Sequence, residues 1–104
     1  MKISIHAVHF NADIKLMNYV TKKLNKLNAF QNGIISVDVF LKLDNVAHTI
    51  KDKVVEISVW IPHHQFFVKH CCKSFEECFD CAFRSLVIQM KKKKSKNFNN
   101  PRIS

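Results

Sequence analysis

Ile35-Ser36-Val37-Asp38-Val39-Phe40-Leu41-Lys42-Leu43 alternates residue by residue. Val37, Val39, Leu41 and Leu43 share one face. A period of two with β-branched residues belongs to a strand with one buried side. The pattern continues outward in both directions. Residues 44–52 read as a polar turn, after which Val55, Ile57, Val59 and Ile61 form the inner face of the next strand. Pro62-His63-His64 breaks it. Residues 65–70 give a short strand with Phe66 and Val68 inward. Upstream, residues 2–8 alternate as well, with Ile3, Ile5 and Ala7 opposed to Lys2, Ser4 and His6.

Two segments change period. Asn11-Ala12-Asp13 is a helix start, and Leu16, Met17, Val20, Leu24 and Leu27 follow at spacings of one, three and four. This predicts an amphipathic helix of about five turns, ending near Phe30 with Gln31-Asn32-Gly33 as its stop. Ser74 with Glu77 three residues on is a capping box. The helix behind it carries Phe75, Phe79, Ala82, Leu86 and Met90 on its core stripe. The order is β-α-β-β-β-α. A helix between the first two strands suits a parallel, right-handed crossover, and the later strands suit antiparallel hairpins. The expected fold is α+β: a four-stranded sheet with two helices on one face. Residues 1–94 form the domain, and 95–104 a basic, disordered tail.

At 104 residues there is room for one domain, and 47% apolar residues exclude global disorder. No apolar run is long enough to span a bilayer, and no signal peptide is recognisable at the start. Four cysteines without an export signal suggest free thiols in a reducing cytoplasm. A single glycine, Gly33, excludes a Gly-rich phosphate loop.

The formal net charge of +9 calls for a polyanionic partner. On the first helix, Lys15, Lys22 and Lys26 fall within about 40° of one another, and Lys23 lies between that stripe and the core edge. No Asp or Glu follows Asp13 there, so no i,i+4 pair balances the charge. The second helix runs into Lys91, Lys92, Lys93 and Lys94. One or two cations serve a helix C-terminus; four, with Lys96 and Arg102, resemble phosphate contacts. A membrane surface is the weaker partner, because only Phe98 and Ile103 could anchor the basic end in lipid.

Other constellations compete. Cys78-x-x-Cys81, with His63, His64, His70, Cys71 and Cys72 nearby, invites a zinc or redox reading. One such pair without a second is weak, so no metal or cofactor is assigned. The six histidines read as surface residues. Phe40, Trp60 and Phe67 are expected on the sheet face away from the helices. There they would be partly buried, stack unpaired bases of single-stranded RNA, or pair two copies of the chain.

Over residues 2–94 the chain resembles the short ribosome hibernation promoting factors, also called ribosome-associated inhibitors. The resemblance rests on the opening strand, Leu16, Tyr19-Val20-Thr21, Lys23-x-x-Lys26-Leu27, the strand from Val37, the strand 55–61, Lys73-Ser74-Phe75-Glu76-Glu77, Asp80 and Gln89-Met90 before the lysines. It implies a fold akin to double-stranded RNA-binding domains and no catalysis. It implies binding to the small ribosomal subunit, against rRNA in the channel used by mRNA and by A- and P-site tRNA, and inhibition of translation in starved or resting cells. Lys23, Lys26, Lys92 and Lys94 match basic positions of that family. Met17, Ser85 and Ile88 stand where many members are basic, His63-His64 replaces a Gly-rich turn, and His70-Cys71-Cys72 replaces an acidic stretch. The separate dimerisation domain of long members has no counterpart here, so joining two ribosomes would need a helper protein. The expected rRNA contacts are Lys22, Lys23, Lys26, Lys91, Lys92 and Lys94, with Lys15, Arg84, Lys93, Phe40, Trp60 and Phe67 as secondary ones.

Overall fold

The computed structural model describes the backbone of residues 1–8, 10–46 and 50–99, and the side chains of 1–8, 10–43 and 53–93. The expectations placed on His9, His48, Lys94, Lys96, Phe98, Arg102 and Ile103 fall outside the described side chains. The elements are β1 (Lys2–Val8), α1 (Ile14–Leu24), β2 (Ser36–Val46), β3 (Ile50–Ile61), β4 (His64–Cys72) and α2 (Phe75–Asn99), with a 3₁₀ segment, Asn25–Ala29, directly after α1.

The sheet order is β1-β2-β3-β4. β1 and β2 are parallel; β2–β3 and β3–β4 are antiparallel. This is the arrangement expected from the pattern, and its register follows from it. Val37, Val39 and Leu41 pair with Val59, Ile57 and Val55, so one apolar surface forms across the strands. That surface, with Phe66 and Val68, meets Leu16, Val20, Leu24 and Leu27 from the first helical stretch and Phe79, Ala82, Leu86 and Met90 from α2. All of these are buried, and no charged or polar side chain joins them among the described residues.

Local chemistry sets the helix ends. Asp13 Oδ1 accepts the Leu16 N–H at 2.8 Å and caps α1. The five-turn helix expected to reach Phe30 is corrected in its second half. The chain tightens to 3₁₀ after Leu24, while Leu27 stays fully buried. Gly33 then takes a φ of 78°, a left-handed turn that glycine adopts without strain. The capping box at Ser74 is corrected too. The Ser74 carbonyl accepts the Cys78 N–H at 2.9 Å, but no reciprocal side-chain bond forms with Glu77 among the described residues.

The polar turn expected over 44–52 is shorter. Asp44, Asn45 and Val46 pair with Asp52, Lys51 and Ile50. Ladder bonds are made by backbone groups, so polar residues extend a hairpin whose inner core face has already ended. Likewise β4 reaches from His64 to Cys72, and α2 continues past Ser95 to Asn99. No described helix is long and apolar enough to cross a membrane.

Candidate nucleic-acid interface

α1 and α2 run side by side in the same direction over the sheet. Tyr19 packs edge-on against Phe79, and Phe30, beyond α1, lies under the Lys91 ammonium, 5.5 Å from the ring centroid. Between the helices is a groove of ≈ 370 Å³, lined by Lys23, Phe30, Asp80, Phe83, Arg84, Val87, Ile88 and Lys91. The sequence thus brings Lys23 and Lys91 together, with Arg84 from the secondary set. Lys22 and Lys26 are exposed one turn apart on the first helical stretch, outside that lining, and Lys92 is exposed beside Lys91. Lys15 is exposed near the start of α1. Lys93 turns away to a second cavity formed with Phe30, Gln31, Asn32 and the Pro62–His64 turn.

One expectation needs correcting. Lys23 is not a free cation: its Nζ lies 3.2 Å from Asp80 Oδ1 and above the rings of Tyr19 and Phe83 at 5.7 and 5.3 Å. Tyr19 Oη donates to the same carboxylate at 2.5 Å. Burial pushes the Asp80 carboxyl up. The hydrogen bonds from Tyr19 and Lys23, with the Lys23 and Arg84 charges, outweigh that and hold it below its ordinary value. The hydrogen bond to Asp80, with burial, pushes the Tyr19 hydroxyl up to about 12. By contrast, Lys15, Lys22, Lys26, Arg84, Lys91 and Lys92 form no ion pair among the described residues.

The opposite face differs. Lys42 and Lys69 reach Glu56 at 3.2 and 3.9 Å, and His6 Nε2 lies 3.9 Å from Asp38. Lys42 and Lys69 are thus matched by an acid on the same surface, and Lys2, on β1, is without one among the described residues. Phe40, Trp60 and Phe67 do occupy this face, as their register requires. Trp60 and Phe67 are 41% and 48% exposed, enough to touch a partner. Phe40 is half-buried, with His6 stacked at 4.6 Å and Lys42 over its ring.

The basic positions absent from α2 have a local explanation. Ser85 Oγ sits 3.0 Å from His70 Nε2, and Gln89 donates to the Phe67 carbonyl on the edge strand at 3.2 Å. This side of the helix is turned to β4. Ile88 is exposed and lines the groove beside Arg84.

The cysteine readings lose their geometry. Cys78 is fully buried, and its thiol donates to the His70 carbonyl at 3.1 Å. Burial pushes that thiol up to about 12, the reverse of what a reactive thiolate requires. No three His, Cys, Asp or Glu side chains converge as metal ligands among the described residues.

The residues missed in sequence were the groove's own walls. Phe83 follows Phe79 at helical spacing and so reads as core edge. Asp80 meets Tyr19 across 61 positions, and no local pattern reports such a contact.

The chain is similar to solved structures. The N-terminal domain of Protein Y from Thermus thermophilus is 26% identical, with a TM-score of 0.75, covering 88% of this chain and 98% of that one. A ribosomal subunit interface protein from Coxiella burnetii shares the fold at 18% identity and a TM-score of 0.81, covering 92% of this chain and 100% of that one. No curated protein sequence matches the chain. The model of one family, described as Sigma 54 modulation protein / S30EA ribosomal protein, matches residues 3–97, and to that family the chain belongs.

Proposed function

We propose that the protein binds the small ribosomal subunit through rRNA phosphates, in the channel used by mRNA and by A- and P-site tRNA, and keeps ribosomes inactive under stress or in stationary phase. It acts in the cytoplasm as a binding protein and makes or breaks no bond. The observation that carries this reading is the segregation of charge. On the outer sheet face Lys42 and Lys69 have an acid partner and Lys2 has none, whereas on the helical side every cation but Lys23 lacks one among the described residues. Unpaired ammonium groups on two fixed helices suit closely spaced phosphates, which are recognised by shape rather than by base edges. The family's description as a ribosomal protein, and the Coxiella relative's name as a subunit interface protein, favour ribosomal RNA as the source of those phosphates.

Co-sedimentation with purified small subunits across a salt series tests it. Retention on small subunits at salt that releases the protein from bulk RNA is the expected result. Retention only at low salt, and equally on any RNA, would reduce the protein to a generic polycation.

A further inference from the structure

Beside the lysine run, at the end of the sheet, lies a cavity of ≈ 390 Å³. Phe30 and Pro62 give it flat apolar walls, Asn32 and His63 give it hydrogen-bonding groups, and Lys93 brings one ammonium from α2. Phe30 is common to this cavity and to the interhelical groove. A half-buried aromatic ring therefore stands between two hollows, each with a lysine.

Two details distinguish the cavity from a gap between elements. His63 holds a φ of 67°, a region where a side chain other than glycine is strained. Glycine would make the same turn at lower cost, yet an imidazole stands here and lines the cavity. Next, the Gln31 side-chain amide is engaged with the Asn32 backbone carbonyl at 3.1 Å. The Asn32 side-chain amide has no protein partner among the described residues. A ring for stacking, a free amide and imidazole for a base edge, and a cation for a phosphate are the groups that hold an unpaired nucleotide. The volume admits one nucleotide and no duplex.

We propose that this cavity seats one unpaired ribonucleotide of the bound RNA, its base against Phe30 and its phosphate on Lys93. The proposal deepens the RNA-binding reading above and rests on it.

The test compares two probes by fluorescence anisotropy at fixed salt: a six-nucleotide single-stranded RNA of mixed sequence, and an abasic ribose-phosphate strand of equal length. The protein should bind the RNA about tenfold more tightly than the abasic strand. Phe30→Leu should lose most of that preference, and His63→Gly part of it, with abasic binding unchanged in His63→Gly. His63→Gly relieves backbone strain and so should fold even if Phe30→Leu does not. Equal affinity of the unaltered protein for both strands, or losses in His63→Gly that are equal on both, would overturn the site. Small-subunit co-sedimentation is read in parallel. Retention there without any base preference sinks the nucleotide site alone. A base preference on the hexamer with no retention on subunits sinks the ribosomal reading and leaves the site standing.

Discussion

Tyr19, Lys23 and Asp80 tie α1 to α2, and their protonation has opposite consequences at the two ends of the pH scale. An unfolded tyrosine loses its proton near 10, and the folded one near about 12. Between those values the folded state keeps a proton that the unfolded state has lost. The stabilisation is complete below pH 10 and drains away as pH rises toward 12. Tyr19→Phe should therefore cost about 1 kcal/mol at neutral pH and flatten the alkaline fall in the urea midpoint. An alkaline limb unchanged in the variant would refute the link. Asp80 works the other way: its carboxyl is held low, so its contribution is present above the ordinary carboxylate range and is lost as pH falls through the folded value. Cysteine chemistry is also decided residue by residue. Cys71 is exposed and Cys78 buried, so a thiol reagent should label Cys71 in the native state and reach Cys78 only on unfolding, as peptide mass mapping would show.

The elements were the most legible level, because each one repeats its own signal. Alternation at 35–43 and 55–61 gave both the strands and their inward faces, and the stripe from Phe75 to Met90 gave the buried side of α2. What escaped was whatever depends on a second element. The change to 3₁₀ after Leu24 depends on how Leu27 reaches the core, and the longer β2–β3 hairpin depends on backbone pairing that polar residues do not announce. The charged stripe was readable as a face, but the Asp80 partner of Lys23 was not. That partner separates the lysines experimentally. Replacing Lys22, Lys26 or Lys92 singly with Ala should lower the magnitude of the log–log salt slope for RNA binding by about 1 each. Lys23→Ala should change the slope less and lower the thermal midpoint instead, because it leaves Asp80 with one hydrogen-bond donor fewer. Equal slope changes at all four positions would show that the Lys23–Asp80 pair opens on binding.

For the whole molecule, the question is which surface meets RNA, and charge and aromatic exposure give different answers. The outer sheet face has Trp60 and Phe67 but nearly balances its charge. The helical face has all but one, Lys2, of the unmatched cations among the described residues. An electrostatic interface of six or more phosphate contacts loses roughly 10³–10⁵ in affinity between about 50 and 200 mM salt, whereas stacking on sheet aromatics is far less sensitive to salt. A Trp60→Ala/Phe67→Ala double variant should then bind small subunits within about twofold of the parent at every salt concentration, since contacts outside an interface contribute little. Truncating two exposed side chains also costs the fold little, so lost binding could not be ascribed to unfolding if the thermal midpoint held. A tenfold loss with the salt slope unchanged would move the interface to the sheet. The unpaired lysines would then serve to draw the protein toward RNA rather than to hold it there.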